Sequence, residues 1–276
     1  MCRWLAYSGS PMPIEDLVLK PDYSLIDQSL TARLSPKPTN GDGFGIGWYG
    51  RQNQPAVYRS MQPAWNDGNL EDLAFQIESS LYLAHVRRST GTPVQQSNCH
   101  PFRYENWLFV HNGLLREFPA IRRDIVMSIA PELFTELKGS TDSELMFYMA
   151  LSLGLADEPL AALERMAGLV EKFAADKGIE NCIQMTLGVA NGDTLYGVRY
   201  STEGNSRTLY HSESIETLRA LLPDNLRARE VPLDARAVVS EPLSDLQDAW
   251  IEVPESTALI VQKGEVETMP FNPRLP

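Results

Sequence analysis

Cysteine is scarce in this sequence: Cys2, Cys99 and Cys182 are the only three in 276 residues. No two of them form a Cys-x-x-Cys pair, which argues against a disulfide framework and against a zinc ribbon. No apolar run approaches the roughly 20 residues that a membrane-spanning helix needs. The opening holds one arginine and only the short run Trp4-Leu5-Ala6-Tyr7. No secretory or transit segment is therefore expected, and the cytoplasm is the expected location. A basic tract is missing as well. Asp and Glu outnumber Lys and Arg by 36 to 24, for a net charge of −12, which disfavours a phosphate-binding face and so nucleic acid. Repeats and Pro- or Gly-rich linkers are also lacking, and the chain reads as one domain over 1–276. Its core would span 2–265, with a loose Pro-rich tail at 266–276.

What is present is an ordinary globular composition with alternating patterns of two kinds. Residues 3–8 read as a strand. Phe44, Ile46 and Trp48 alternate with glycine, and Ala56-Val57-Tyr58-Arg59 follows a polar turn, which predicts a hairpin. Residues 70–79 read as a helix, Leu81–Val86 and Trp107–Val110 as buried strands, and 116–177 as a helical middle with Leu145, Met149 and Leu153 on one face. Strands return at 184–189, 194–200, 208–211, 237–240 and 258–261. Strands, then helices, then strands predict an α+β fold with stacked sheets rather than βαβ units.

NGDGFGIGWYG contains a formal GxGxxG at Gly45, Gly47 and Gly50. A dinucleotide loop needs a helix after it, to set a helix N-terminus against the pyrophosphate. Here a polar turn follows, so the glycines read instead as a bare sheet face that another segment approaches closely.

Four further stretches carry chemistry. In MCRWLAYSG, loss of Met1 would leave Cys2 with a thiol and a free α-amino group, a nucleophile with its own base; many small second residues do nothing of the kind. In AHVRRSTG, Arg87 closes an apolar strand beside a glycine turn, which suits bidentate capture of a carboxylate. For Arg88 a solvated surface role is preferred. In WLFVHNG, the Asn112 amide and the Gly113 N–H can aim at one oxygen as an oxyanion hole, although Asn-Gly is also the commonest tight-turn signal. In GSTDSELMFYMA, Thr141–Glu144 fits a capping box. Asp142 is then either a first-turn acid favoured by the helix dipole or a site for an ammonium, and the residues leave both open. His85, Cys99, His100 and His111 match no compact zinc spacing, so no metal is expected.

Taken in order, MCRWLAYSG, NGDGFGIGWY, AHVRRSTG, NCHPF, VHNG and STDSE resemble the class II glutamine amidotransferases, which are N-terminal-nucleophile hydrolases. The likeness spans nearly the whole chain. It is closest to the stand-alone branch with the γ-glutamyl amidase of ergothioneine biosynthesis and the glutathione-degrading amidotransferase subunit, and SEPLSDLQDAWIEVP also looks like that branch. The resemblance implies a four-layer αββα sandwich. It implies Cys2 as nucleophile, Asn112 and Gly113 as the oxyanion hole, Arg87 for a γ-glutamyl α-carboxylate and Asp142 for its α-ammonium. The expected reaction is hydrolysis of a γ-glutamyl amide through a Cys2 thioester, releasing glutamate, with no cofactor. The expected partner is a small γ-glutamyl molecule, with neither nucleic acid nor membrane. Two alternatives stand beside it: a glutaminase subunit passing ammonia to a separate protein partner, and a silent γ-glutamyl-binding protein.

Overall fold

The structure, a computed structural model, describes residues 2–34, 39–89, 91–221 and 229–276. Thirteen strands among these residues form two antiparallel sheets. The first contains β1 (Arg3–Pro13), β2 (Phe44–Trp48), β3 (Ala56–Ser60), β4 (Glu78–Val86), β9 (Tyr210–Ser212), β10 (Arg236–Val239) and β11 (Trp250–Glu252), in the order β11-β9-β10-β1-β4-β2-β3. The second contains β5 (Phe102–Tyr104), β6 (Trp107–Leu115), β7 (Ile183–Ala190), β8 (Leu195–Ser201), β12 (Thr257–Gln262) and β13 (Glu265–Pro270), in the order β13-β12-β8-β7-β6-β5.

The strand period of two sorts side chains into separate cores. On β1, Trp4 and Ala6 face one way, into a cluster with Leu108 and Val110 of β6 and Leu259 of β12, between the sheets. Leu5 and Tyr7 face the other way, into a cluster with Val18, Leu25, Leu70 and Ile215. These four come from helices α1 (Glu15–Val18), α2 (Leu25–Leu30), α3 (Gly68–Gln76) and α8 (Ile215–Leu221), which cover the first sheet. On β6, Phe109 leaves the middle layer and stacks on Phe147, ring centroids 5.2 Å apart. That outer core is closed by α4 (Phe118–Met127), α5 (Pro131–Phe134), α6 (Asp142–Ser152) and α7 (Pro159–Ala175). Three apolar cores thus separate four layers, and the αββα sandwich is the observed fold. No described helix is long and apolar enough to cross a membrane.

The glycine-rich stretch is strand β2, held between β3 and β4, and no helix follows it. A Cβ on Gly45 would lie 2.3 Å from the His100 carbonyl oxygen, and one on Gly47 would lie 2.9 Å from the Leu108 side chain. Those glycines are bare because the second sheet and the loop before β5 come in against them.

Four local expectations change. The helix expected over 70–79 ends at Gln76, and strand begins at Glu78. β6 does not stop at Val110 but carries His111, Asn112 and Gly113 inside the sheet, paired with Leu187, Thr186 and Met185 of β7. β11 was not expected at all. The expected loose tail is instead fastened: β13 pairs with β12 over six residues, Phe271 is buried, and the Arg274 N–H donates to the Glu164 carbonyl at 3.2 Å.

Candidate active site

Antiparallel register places three chain segments at one end of the first sheet. Arg3 and Phe44 both pair with Val86, so Cys2, Gly43 and Arg87 are the next residues out on adjacent strands. The Cys2 thiol sits over the Arg88 peptide: Arg88 N–H donates to Sγ at 3.3 Å, and Sγ donates to the Arg88 carbonyl at 3.4 Å. Burial pushes this thiol above its ordinary range, opposed by the Arg88 N–H and by the charges of Arg87 and Arg3. The role of Met1 lies outside the described residues.

Arg87 is buried at 3% exposure. Its guanidinium donates to Thr92 Oγ1 at 2.7 Å, to Ser89 Oγ at 3.4 Å and to the Asp42 carbonyl at 3.4 Å. All three acceptors are neutral, and among the described residues no carboxylate lies within ion-pair distance of it. A buried cation held only by dipoles is poised for an incoming anion. Gly43 stands behind it with φ +103°, its carbonyl accepting from the Arg87 N–H at 2.8 Å; a Cβ there would strike Cys99 Sγ at 2.6 Å. Cys99 and Cys182 are buried packing residues. Arg88 is half-buried rather than on the open surface.

The second sheet carries Asn112 and Gly113 on β6. Asn112 is 3% exposed, and its side-chain amide bonds to nothing among the described residues. Its carbonyl accepts from Thr186 Oγ1 at 3.4 Å. Gly113 admits no side chain, because a Cβ would stand 1.9 Å from the Gln184 carbonyl oxygen. The turn reading of His111-Asn112-Gly113 is therefore wrong, and the glycine answers to a close approach between β6 and β7. Asp142 opens α6. Its Oδ2 accepts from Leu115 N–H at 3.0 Å and its Oδ1 from Ser143 N–H at 2.8 Å. The expected capping box is half formed. Thr141 Oγ1 takes the Glu144 N–H at 3.1 Å, but the Glu144 carboxylate turns to Lys138 N–H at 2.9 Å and Gly139 N–H at 2.8 Å.

Two contacts bind the groups across the layers. His85 Nε2 donates to the His111 carbonyl at 3.2 Å, and Trp4 Nε1 donates to Thr186 Oγ1 at 3.2 Å, the same hydroxyl that reaches Asn112. His100 stacks on His85 with ring centroids 4.1 Å apart. Burial lowers all three histidines, His85 to about 3, so they are neutral near pH 7. Among the described residues no cluster of His, Cys, Asp and Glu is arranged to hold a metal ion.

Sequence reading missed one feature of the site. Arg3 and Glu241, each 3% exposed, form a buried ion pair, and Arg3 Nη1 also donates to the Cys2 carbonyl at 2.8 Å. Glu241 lies in the SEPLSD stretch noted for its likeness, but no spacing rule joins residues 238 apart.

Comparison with known proteins bears on the same arrangement. A family model described as class II glutamine amidotransferases matches residues 19–275. A probable glutamine amidotransferase, DUG3, of Saccharomyces cerevisiae is 29% identical over 98% of this chain and 84% of its own length. The γ-glutamyl-hercynylcysteine sulfoxide hydrolase of Mycolicibacterium smegmatis is 26% identical over 98% of this chain and all of its own. Among solved structures, a glutamine aminotransferase class-II domain protein from Silicibacter pomeroyi superposes with a TM-score of 0.76 at 31% identity, covering 99% of this chain and 100% of that one.

Proposed function

Because the chain belongs to the class II glutamine amidotransferase family, we propose that it hydrolyses a γ-glutamyl amide bond through a Cys2 thioester, releasing glutamate. The observation that carries this reading is Arg87, a buried guanidinium beside the Cys2 thiol whose partners among the described residues are all neutral. A substrate α-carboxylate would complete it, in the bidentate manner arginine favours.

The remaining roles follow from what a γ-glutamyl group presents. Its α-ammonium goes to Asp142, whose Oδ2 keeps an acceptor lone pair beyond its bond from Leu115 N–H, while Oδ1 takes both the Ser143 N–H and hydroxyl. Once Met1 is removed, the Cys2 amine takes the thiol proton, and the thiolate attacks the γ-carbonyl. The oxyanion that develops meets the Asn112 amide, which has no partner among the described residues, and the Gly113 N–H. The amine returns its proton to the leaving amine, a γ-glutamyl thioester forms, and water hydrolyses it to glutamate. These steps call on no cofactor.

For the leaving group, the Mycolicibacterium smegmatis relative is, by its name, a hydrolase of γ-glutamyl-hercynylcysteine sulfoxide. A γ-glutamyl peptide or thioether is accordingly the first substrate class to try. The test is glutamate release from glutamine, glutathione and a γ-glutamyl cysteine thioether, with intact mass taken on the same sample and Cys2→Ala as control. Release by des-Met1 protein that vanishes in Cys2→Ala supports the proposal. Undiminished release by Cys2→Ala would refute it.

A further inference from the structure

We propose that the buried Arg3–Glu241 pair is a positioning device: it fixes the Cys2 backbone and ties it to residues 33–34 and, by way of Gln28, to residues 40–43 beside Arg87. The inference rests on Cys2 being the nucleophile. A nucleophile at the start of a chain has peptide on one side only, so what holds its carbonyl fixes its aim. Here Arg3 Nη1 holds that carbonyl at 2.8 Å while the thiol rests on the Arg88 peptide.

Arg3 is itself clamped. Its Nε and Nη2 both donate to Glu241 Oε1, and the next residues lock in register, Ser240 N–H to the Trp4 carbonyl and Trp4 N–H to Ser240 Oγ, each at 3.0 Å. Glu241 then reaches the other way. Arg33 N–H donates to its Oε2 and Leu34 N–H to its Oε1, both at 3.1 Å. Gln28 Nε2 donates to the Glu241 carbonyl at 3.3 Å, and the Gln28 carbonyl accepts from Asn40 Nδ2 at 3.1 Å. Two residues on, Asp42 N–H donates to the Arg87 carbonyl at 3.0 Å. Glu241 thus joins the residue holding Cys2 to residues 33–34 through its carboxylate and, through its carbonyl and Gln28, to the stretch beside Arg87. Stability alone is a weak reason to bury such a pair, since apolar replacements of similar volume are often neutral or better.

That last point supplies the test. Glu241→Gln leaves Arg3 buried without its counter-charge and risks the fold, so it is paired with the apolar double variant Arg3→Met/Glu241→Leu. On full-length protein we would measure glutamate release, thermal midpoint, and the pH dependence of Cys2 alkylation by iodoacetamide, resolved by peptide mass. The expected result is a double variant that is folded but has kcat lowered about 10–100-fold, with KM little changed, as misplacement of a reacting group costs. Its Cys2 alkylation profile should be displaced from wild type, and Arg3→Lys, which keeps a donor, should recover part of kcat. A folded double variant with wild-type kcat and alkylation profile would overturn the proposal. Loss of fold in both variants would also overturn it, by assigning the pair to stability. If wild-type protein released no glutamate, the proposed reaction would fail, while the alkylation profiles would still decide the positioning role.

Discussion

Asp142 Oδ2 accepts the Leu115 N–H at 3.0 Å, which fastens the carboxylate opening α6 to the last residue of β6, three positions past Asn112. The group proposed for the substrate ammonium is therefore hydrogen-bonded to the strand proposed for the oxyanion hole. Asp142→Asn keeps an acceptor for Leu115 and removes the charge. It is expected to raise KM for a γ-glutamyl substrate about 10–100-fold, the worth of a charged hydrogen bond, with a smaller change in kcat. Steady-state kinetics with a fixed substrate checks this, and an unchanged KM would leave Asp142 as a helix-start acid only.

Arg87→Lys tests the carboxylate site. Lysine keeps the charge but offers no fork, and Arg87 spreads its donors over Thr92, Ser89 and the Asp42 carbonyl. Apparent affinity is expected to fall at least about tenfold, with kcat changed less. Affinity equal to wild type, measured on the same substrate, would remove Arg87 from that role.

How much of this was legible in the sequence depends on how far apart the interacting residues lie. The two faces of β1 are written in Trp4-Leu5-Ala6-Tyr7, and the cradle for the loop before β5 in the glycines of β2. Asn112-Gly113 was ambiguous because a tight turn and a close strand approach both demand glycine locally; only the Gln184 carbonyl across the ladder excludes the turn. The tail misled for a related reason. Its prolines signal looseness, while Phe271, packed on Tyr200 at 5.5 Å, is a tertiary fact. Glu241 was invisible because a buried ion pair across 238 residues leaves no local mark. For Asp142, cap and ligand site share one residue type, and the geometry is compatible with both.

Asn112→Ala should separate catalysis from stability. The Asn112 amide makes no hydrogen bond among the described residues, so truncation leaves no partner stranded. Stability is expected to change by less than about 1 kcal/mol, while kcat falls about 10²–10³-fold through loss of an oxyanion donor. Gly113→Ala is the contrasting case. Its Cβ would collide with the Gln184 carbonyl, so unfolding should be easier by about 1–3 kcal/mol or more. Denaturant melts run beside the kinetics distinguish the two, and a strongly destabilised Asn112→Ala would show that its amide has a partner in the fold.

The buried histidines are expected to weaken the fold at acid pH. His85 is depressed to about 3 by burial, and His100 and His111 are lowered for the same reason. In the unfolded chain each returns to about 6.5. For His85 the unfolded state binds more protons between those values, so its contribution is full above about pH 6.5 and declines as pH falls toward 3, by up to about 1.4 kcal/mol per pH unit; His100 and His111 act in the same direction below about pH 6.5. His100→Phe provides the check. Both His100 ring nitrogens lack partners among the described residues, and its ring lies between His85 and Phe102, at 4.1 and 4.5 Å. Phenylalanine fills the same stack without buried polar atoms. It is therefore expected to be neutral or stabilising at pH 7 and to flatten the decline below about pH 6.5 by up to about one proton, read from denaturation midpoints across pH. A variant destabilised by more than about 2 kcal/mol at pH 7 would mean that the imidazole nitrogens are satisfied in solution and that His100 contributes more than its ring.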